Sequence, residues 1–395
     1  MSAPLIENQI LFRPSAKVLI RDSKFGPVQA FQVRLVDAAA TCGFSIDVLD
    51  KFADGRAGRK TAELIKKISR CQSFSSKIGP DDPAYQGFIS IAFWAAVAPD
   101  VAVPTAIKRA AIMSGANEGT DYTDVEFNVG TKDPGIITWG PQGATAGQAF
   151  QVQRILRKID KQLPDMIDTA FASEASAVRN FMVTSNVTTA TTLITAVVSA
   201  STRKNLWIRG FMSIGQSATV RAIYDAEMAG KNTAGVNEAI ANFFRSYWSN
   251  CWLPTEVDAA FFLDRAVQIT VYQSMTNAAV TNVAFAQKKL GRQFSPAERR
   301  RAIAANFQGK NMDYVGDRLA RDVAFYIDGL GAKALTNETL LALRMSRTAP
   351  PTQLKDEVAK WQHRTGTSAL DYGLIDARMA AVPPGLTPPE CSVTK

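Results

Sequence analysis

Residues 114–147 read SGANEGTDYTDVEFNVGTKDPGIITWGPQGATAG. This segment is polar and turn-rich, gathering carboxylates, glycines, a tryptophan and threonines between two stretches of helical period. Such a segment is expected to floor a cleft. Glu118 follows AIKRAAIMSGA, where Ile107, Ala111 and Ile112 share one face, Thr105 caps the start and Gly115 is expected to end the helix. The end of an apolar helix is partly desolvated and favours a protonated carboxyl group. Asp133 lies in Lys132-Asp133-Pro134-Gly135, a polar turn in which Lys132 favours the ionised form. Glycoside cleavage uses this pairing: a proton donor for the leaving oxygen and a carboxylate across the sugar. Thr138 would hold the attacking water, and Trp139 would stack on a sugar face. Gly140 and Gly143 would let the backbone approach a polymer. Each residue also has a plainer account, with Glu118 and Asp133 as turn acids and Trp139 as core.

At 395 residues, 46% hydrophobic and 21% charged, the chain has the composition of a soluble globular protein with room for two or three domains. No run of eighteen apolar residues occurs, so no membrane span is expected. Glu7 and Arg13 interrupt the N-terminus where a secretory signal needs an apolar core, so none is expected. Action on a cell wall would then require lysis or a specialised delivery route from the cytoplasm. The net charge of +9 favours polyanionic partners. No nucleic-acid-binding signature accompanies it, and Arg299-Arg300-Arg301 reads as a helix start, so nucleic acid is not the expected partner. With one histidine and four cysteines outside metal-ligand spacing, neither a metal nor a cofactor is called for. Cys42 and Cys71 bracket one small unit and read either as a staple or as two buried thiols.

That unit begins with Val28, Phe31, Leu35 and Val36 at helical spacing, turns at Cys42-Gly43-Phe44, and reopens as a helix through Ile65 and Ile68. Between them, Asp54, Gly55, Gly58 and Thr61 form D-G-x-x-G-x-x-T. The spacing resembles the small helical peptidoglycan-binding module. The resemblance implies a cell-wall module over residues 1–80, its glycines giving positive φ or close backbone approach and Thr61 capping the second helix. A plain helical hairpin is the competing account.

Residues 1–20 read as an irregular lead-in and 72–84 as a linker. FISIAFWAAVAPDVAV reads as a buried helix, and QVQRILRKIDKQL as an amphipathic one with Val152, Ile155, Leu156 and Ile159 inward. Pro164 breaks that helix, and Asp165 starts another reaching toward Met182. The Thr- and Val-rich stretch 183–202 admits a strand, a hairpin or a buried helix. Helices are expected over 206–229, 236–249, 255–275, 278–290, 296–307, 312–329 and 337–346. Ser295, Pro296 and Glu298 mark a helix start, and proline clusters after 347 point to a loose tail.

The helix-end Glu118 followed by Asp133, Gly135, Thr138 and Gly140 resembles the lysozyme superfamily, in its chitosanase-like and phage-lysozyme-like branches. Phe262-Leu263-Asp264-Arg265-Ala266-Val267-Gln268 resembles the F-x-D-x-A-V-Q helix of the chitosanase-like branch, and Asp317 to Gly331 the helix after it. Ile269-Thr270 departs from that pattern, and Asp121, Asp124 and Glu126 crowd the segment between acid and base. The resemblance implies a mainly α, lysozyme-like α+β domain over 81–395, with a small β region beside a cleft. It implies Glu118 as the acid, Asp133 as base or charge stabiliser, and Thr138 positioning water. Trp139, Gly140, Asp264 and Gln268 would serve the substrate, Asp264 orienting rather than reacting and finding its partner in Arg265 or a backbone amide. The implied substrate is peptidoglycan, with chitosan or chitin as the alternative polymer. A lytic transglycosylase, needing only one carboxylate, and a non-catalytic basic binding protein are further alternatives. Two contexts fit: a phage endolysin, or an antibacterial effector paired with an immunity protein that plugs the cleft.

Overall fold

A computed structural model describes residues 7–46, 52–118, 121–131, 135–147, 149–229, 236–268, 273–306, 321–327 and 368–390. Strands β1 (Ile10–Phe12) and β2 (Ile20–Arg21) precede helix α1 (Pro27–Thr41), strand β3 (Arg56–Ala57) and helix α2 (Arg59–Ser69). Then come α3 (Gln72–Ser75), β4 (Ile89–Ser90), α4 (Ile91–Val97) and α5 (Ala106–Glu118). Strands β5 (Val125–Phe127), β6 (Ile137–Trp139) and β7 (Ala144–Thr145) form one antiparallel sheet in that order. Helices α6 (Gln151–Gln162), α7 (Pro164–Phe171), α8 (Ala175–Met182), α9 (Val187–Val198), α10 (Ser201–Gln216) and α11 (Ala218–Met228) follow. The last described helices are α12 (Val236–Trp248), α13 (Glu256–Gln268), α14 (Gln273–Leu290) and α15 (Pro296–Asn306). The protein is mainly helical with small sheets, the fold class its periodicity indicates.

The chain divides into two compact units, Met1–Asn117 with Ala239–Lys395, and Glu118–Glu238. In the first, Val28, Phe31 and Leu35 of α1 and Ile65 and Ile68 of α2 are buried, as their spacing requires. The boundary expected at residue 80 falls inside this unit. Strand β1 pairs antiparallel with β4, and Phe31 stacks on Trp94 at 4.5 Å between centroids. Part of the expected lead-in is core: Ile10, Leu11 and Phe12 are buried, in a strand too short to show a period. Nor is 72–84 a bare linker, because buried Asp82 accepts hydrogen bonds from Ala84 N (2.8 Å) and Ser90 Oγ (2.7 Å). The C-terminal segment is likewise docked over 368–380, where Tyr372 and Leu374 are buried and Arg13 N donates to Asp371 O. Among the described residues of this segment, the proline-rich stretch 381–390 is largely exposed.

Helix α15 starts as its sequence indicates: Ser295 N donates to Glu298 Oε2 (2.9 Å) and Glu298 N to Ser295 Oγ (3.2 Å). Its interior arginine is less ordinary. Arg300, fully buried, donates to Asp258 Oδ1 at 2.8 Å and to both oxygens of Asp376. The expected helices over 312–329 and 337–346 lie outside the described residues, apart from the short stretch 321–327.

The second unit packs its sheet and helices α6–α11 around Trp139, Phe171, Phe181, Trp207, Phe211 and Tyr224. Val152, Ile155, Leu156 and Ile159 of α6 face this core. Pro164 opens α7, and the run toward Met182 breaks at Ala172, which takes φ +50°. The Thr- and Val-rich stretch is helical. Asn186 Oδ1 caps Thr189 N at 3.2 Å, and Ala190, Ile194 and Val197 are buried at helical spacing. The hydroxyls of Thr191, Thr192 and Thr195 bond to carbonyls one turn back, which removes their competition with the helix.

Candidate active site

Helix α5 runs through Gly115 and closes at Glu118, so the glycine does not end it and the acid is the helix's last residue. Thr105 supports its start, accepting Lys108 N on Oγ1 (3.3 Å) and Arg109 N on its carbonyl (2.9 Å). Two buried polar contacts then fix the helix. Arg109 donates to Tyr372 O (2.9 Å) and Pro104 O (2.7 Å); burial pulls its guanidinium down to about 10, with Glu256 pushing back. One turn before Glu118, Ser114 Oγ donates to Asp264 Oδ1 at 2.9 Å. Asp264 on α13 is fully buried, and its second neighbour is Arg321, at 3.7 Å. Arg265, one of the partners expected for it, pairs with Asp322 at 2.8 Å. At 0% exposure, Asp264 is closed off from solvent.

The sheet positions Thr138. It sits in the central strand with Glu126 opposite on one side and Thr145 on the other. Alternation along β6 buries Ile137 and Trp139 and leaves Thr138 half-buried. Glu126, Thr138 and Thr145 therefore form a polar row across one face, with an exposed carboxylate at one end. Asn128 Nδ2 donates to Thr138 Oγ1 at 2.9 Å, and Asn128 N donates to Ile136 O at 3.0 Å. Asn128 therefore ties the end of β5 to the start of β6. Sequence reasoning passed over Asn128 because nothing local distinguishes it from an ordinary turn residue. Asp133 itself, and the side chains of Glu118 and Gln268, lie outside the described residues.

Two expected sugar contacts are corrected. Trp139 is fully buried, its Nε1 donates to Tyr122 O at 2.8 Å, and its ring packs on Phe211 and Tyr224. It is core and presents no face for stacking. Gly140 takes φ +77°, and a Cβ there would lie 2.6 Å from the Tyr224 ring. Its glycine makes room for Tyr224, whose hydroxyl donates to Trp139 O (3.0 Å) and accepts from Gln142 N (3.1 Å). Asp121 and Asp124 are occupied in a turn: Asp121 Oδ1 accepts from Tyr122 N and Asp124 Oδ2 from Asp121 N.

Two of the four N-terminal motif residues, Gly55 and Thr61, meet a fifth that the sequence reading missed. Gln32, buried on α1, accepts from Gly55 N (2.9 Å) and donates to Arg56 O (3.1 Å), with Thr61 Oγ1 at 3.5 Å. Its signal was a polar residue on the apolar face, four after Val28. Gly55 has φ +79° and lies against the Asp22 carbonyl. Gly58, at φ −136°, is the N-cap of α2, so Thr61 is a buried residue of the first turn and not the cap. Asp54 Oδ1 accepts from Arg56 N at 2.8 Å. The motif's contacts are those of a self-supporting turn.

Among the described residues no helix is long and apolar enough to cross a membrane, and no cluster of His, Cys, Asp and Glu could hold a metal ion. Cys42 is bonded to Cys71 with Cα atoms 6.0 Å apart, which decides for the staple, and Cys251 is also disulfide-bonded. No protein family, curated protein or solved structure matches this chain.

Proposed function

We propose that the chain is a glycoside hydrolase of lysozyme type that cuts the glycan strands of peptidoglycan. The observation that carries the reading is a single arrangement. A helix pinned by Ser114–Asp264 ends at Glu118, and the chain continues into an antiparallel sheet whose central strand carries Thr138 in a polar row. Glu118 protonates the leaving oxygen. Asp133 activates a water held by Thr138, and displacement from the opposite face inverts the anomeric centre. The disulfides fit action in an oxidising compartment outside the cytoplasm, reached by lysis or delivery from another cell. An injected toxin of this kind would have an inhibitor protein as its partner in the producing cell.

A second assignment of the base has an observation behind it. Glu126 is directly opposite Thr138, where cross-strand Cβ atoms stand roughly 4.5–5.5 Å apart. The test is reducing-end release from purified sacculi by wild type, Glu118→Gln, Asp133→Asn and Glu126→Gln. Loss of the general acid should lower the rate by about a hundredfold or more. Wild-type release from Glu118→Gln would end the reading. Whichever of the other two variants is silent names the base, and anhydro products from an active Asp133→Asn would point to transglycosylation. Faster release from chitosan than from sacculi would change the polymer and keep the chemistry.

A further inference from the structure

We infer that the outer face of α2 is a docking surface for a phosphodiester-linked polyol chain of the cell envelope. Between Arg56 and Arg70 lie six basic side chains, Arg56, Arg59, Lys60, Lys66, Lys67 and Arg70, against one carboxylate, Glu63. That is +5 of the chain's net +9 in fifteen residues. The opposite face, with Thr61, Ala62, Leu64, Ile65, Ile68 and Ser69, is buried, so the cations point outward together. They span about 16 Å from Arg59 to Arg70 at the helical rise. Immediately beyond Arg70, the Cys71–Cys42 bond ties this helix end to the end of α1, which holds the face rigid.

The cations of this face have few internal partners. Arg59 lies 4.0 Å from Glu63, and the other five form no ion pair with any described residue. Four arginines elsewhere are neutralised, Arg34 by Asp100, Arg179 by Asp160 and Asp168, Arg203 by Glu174 and Arg292 by Glu298, whereas Arg21, Arg157 and Arg209 stand singly and not in a row. The helix dipole accounts for Lys66 and Lys67 in the last turn. It disfavours Arg59 and Lys60, which open the helix with no acid in the first turn. Lys60 both opposes the dipole and has no ion pair with a described residue, so its charge does not serve the fold.

The chemistry of the face selects the occupant. Guanidinium and ammonium groups in a row match an extended polyanion, and phosphate oxygens in particular. No apolar side chain between Arg56 and Arg70 is exposed, and Leu19, partly exposed against Gly58, is a single apolar side chain beside six cations and not the apolar face that enters a bilayer. It also offers no aromatic platform for stacking unpaired bases: Lys67 covers Phe44 at 5.8 Å. The choice of an envelope polymer rests on the cell-wall function proposed above; the charge geometry does not.

The experiment measures binding of the full chain to poly(glycerol phosphate) across a salt series, beside duplex DNA at equal phosphate. The variant carries Arg56→Glu, Lys60→Glu and Arg70→Glu, all exposed positions, with unchanged thermal unfolding as the fold control. Wild type should bind the polyol phosphate and release it steeply with salt, and the variant should bind about tenfold or more weakly with a flatter salt slope. Equal binding by the variant overturns the proposal. So does a wild-type preference for duplex DNA, which would make nucleic acid the partner. Reducing-end release from sacculi is read on the same preparations. Polymer binding without release removes the hydrolase and leaves the docking face, and release without charge-dependent binding does the reverse.

Discussion

Ser114 and Glu118 stand one helical turn apart on α5, and Asp264 grips the first. Ser114→Ala leaves a fully buried carboxylate without that donor, beside Arg321 at 3.7 Å. Its expected cost is about 1–3 kcal/mol, measured by urea unfolding, with a fall in turnover on sacculi larger than any change in half-saturation. Gly140→Ala tests a different constraint. The new methyl meets the Tyr224 ring in a backbone conformation that disfavours it, so a loss of about 2 kcal/mol or more is expected. A curve matching wild type would show that the turn at 140–143 tolerates a shift of Tyr224. These two positions mark what was legible at this scale. That Asp264 needed a partner followed from its apolar neighbours Phe261, Phe262 and Leu263, whereas the identity of that partner depends on a helix 150 residues away. Trp139 and Gly140 read as a sugar platform because a short sequence shows residue types but not which face of a strand is buried.

Among the elements, the amphipathic helices were plain in the sequence, and the two- and three-residue strands were not. A stripe repeating over three turns survives local exceptions, while Ile10-Leu11-Phe12 or Ile89-Ser90 carries no repeat. Helix α9 shows propensity overruled by context: its β-branched residues favour strand, but an asparagine cap and a buried face at helical spacing decide for helix. At the elbow between α7 and α8, Glu174 receives Arg203 through both oxygens (2.8 Å each) and Trp207 Nε1 at 3.0 Å. The Arg203 hydrogen bond, opposed by burial and helped by the indole, holds the Glu174 carboxyl below its ordinary 4.5. A carboxylate with a lowered pKa contributes stability that is complete above its unfolded value and is lost as pH falls through the folded one. Wild type should therefore lose stability relative to Glu174→Gln as the pH drops below about 4.5. At neutral pH the variant should be weaker by about 1–2 kcal/mol, since Arg203 is partly exposed and screened. Parallel stability–pH curves for the two proteins would remove Glu174 from the acid response.

For the molecule as a whole, the covalent bonds say most about where it is built to work. Four cysteines in 395 residues do not make a disulfide scaffold, yet no described cysteine is free. Spacing alone left Cys42 and Cys71 undecided, because two helices must return side by side before their ends can be bonded. Helices α1 and α2 do so around Gln32, and the bond closes a loop between residues 29 apart. A crosslink of that span restricts the unfolded chain by about 3–4 kcal/mol on the chain-entropy account. It also anchors the end of a basic helix, so its loss should loosen the region between Arg56 and Arg70. The comparison is urea unfolding of wild type with the Cys42→Ser, Cys71→Ser double variant, each with and without dithiothreitol. Without reductant, the variant should unfold at lower urea by the amount that crosslink contributes. With reductant the two curves should come together, and any shift of the variant itself isolates the Cys251 bond. Superimposed curves without reductant would show that Cys42 and Cys71 add nothing to the unit they bracket.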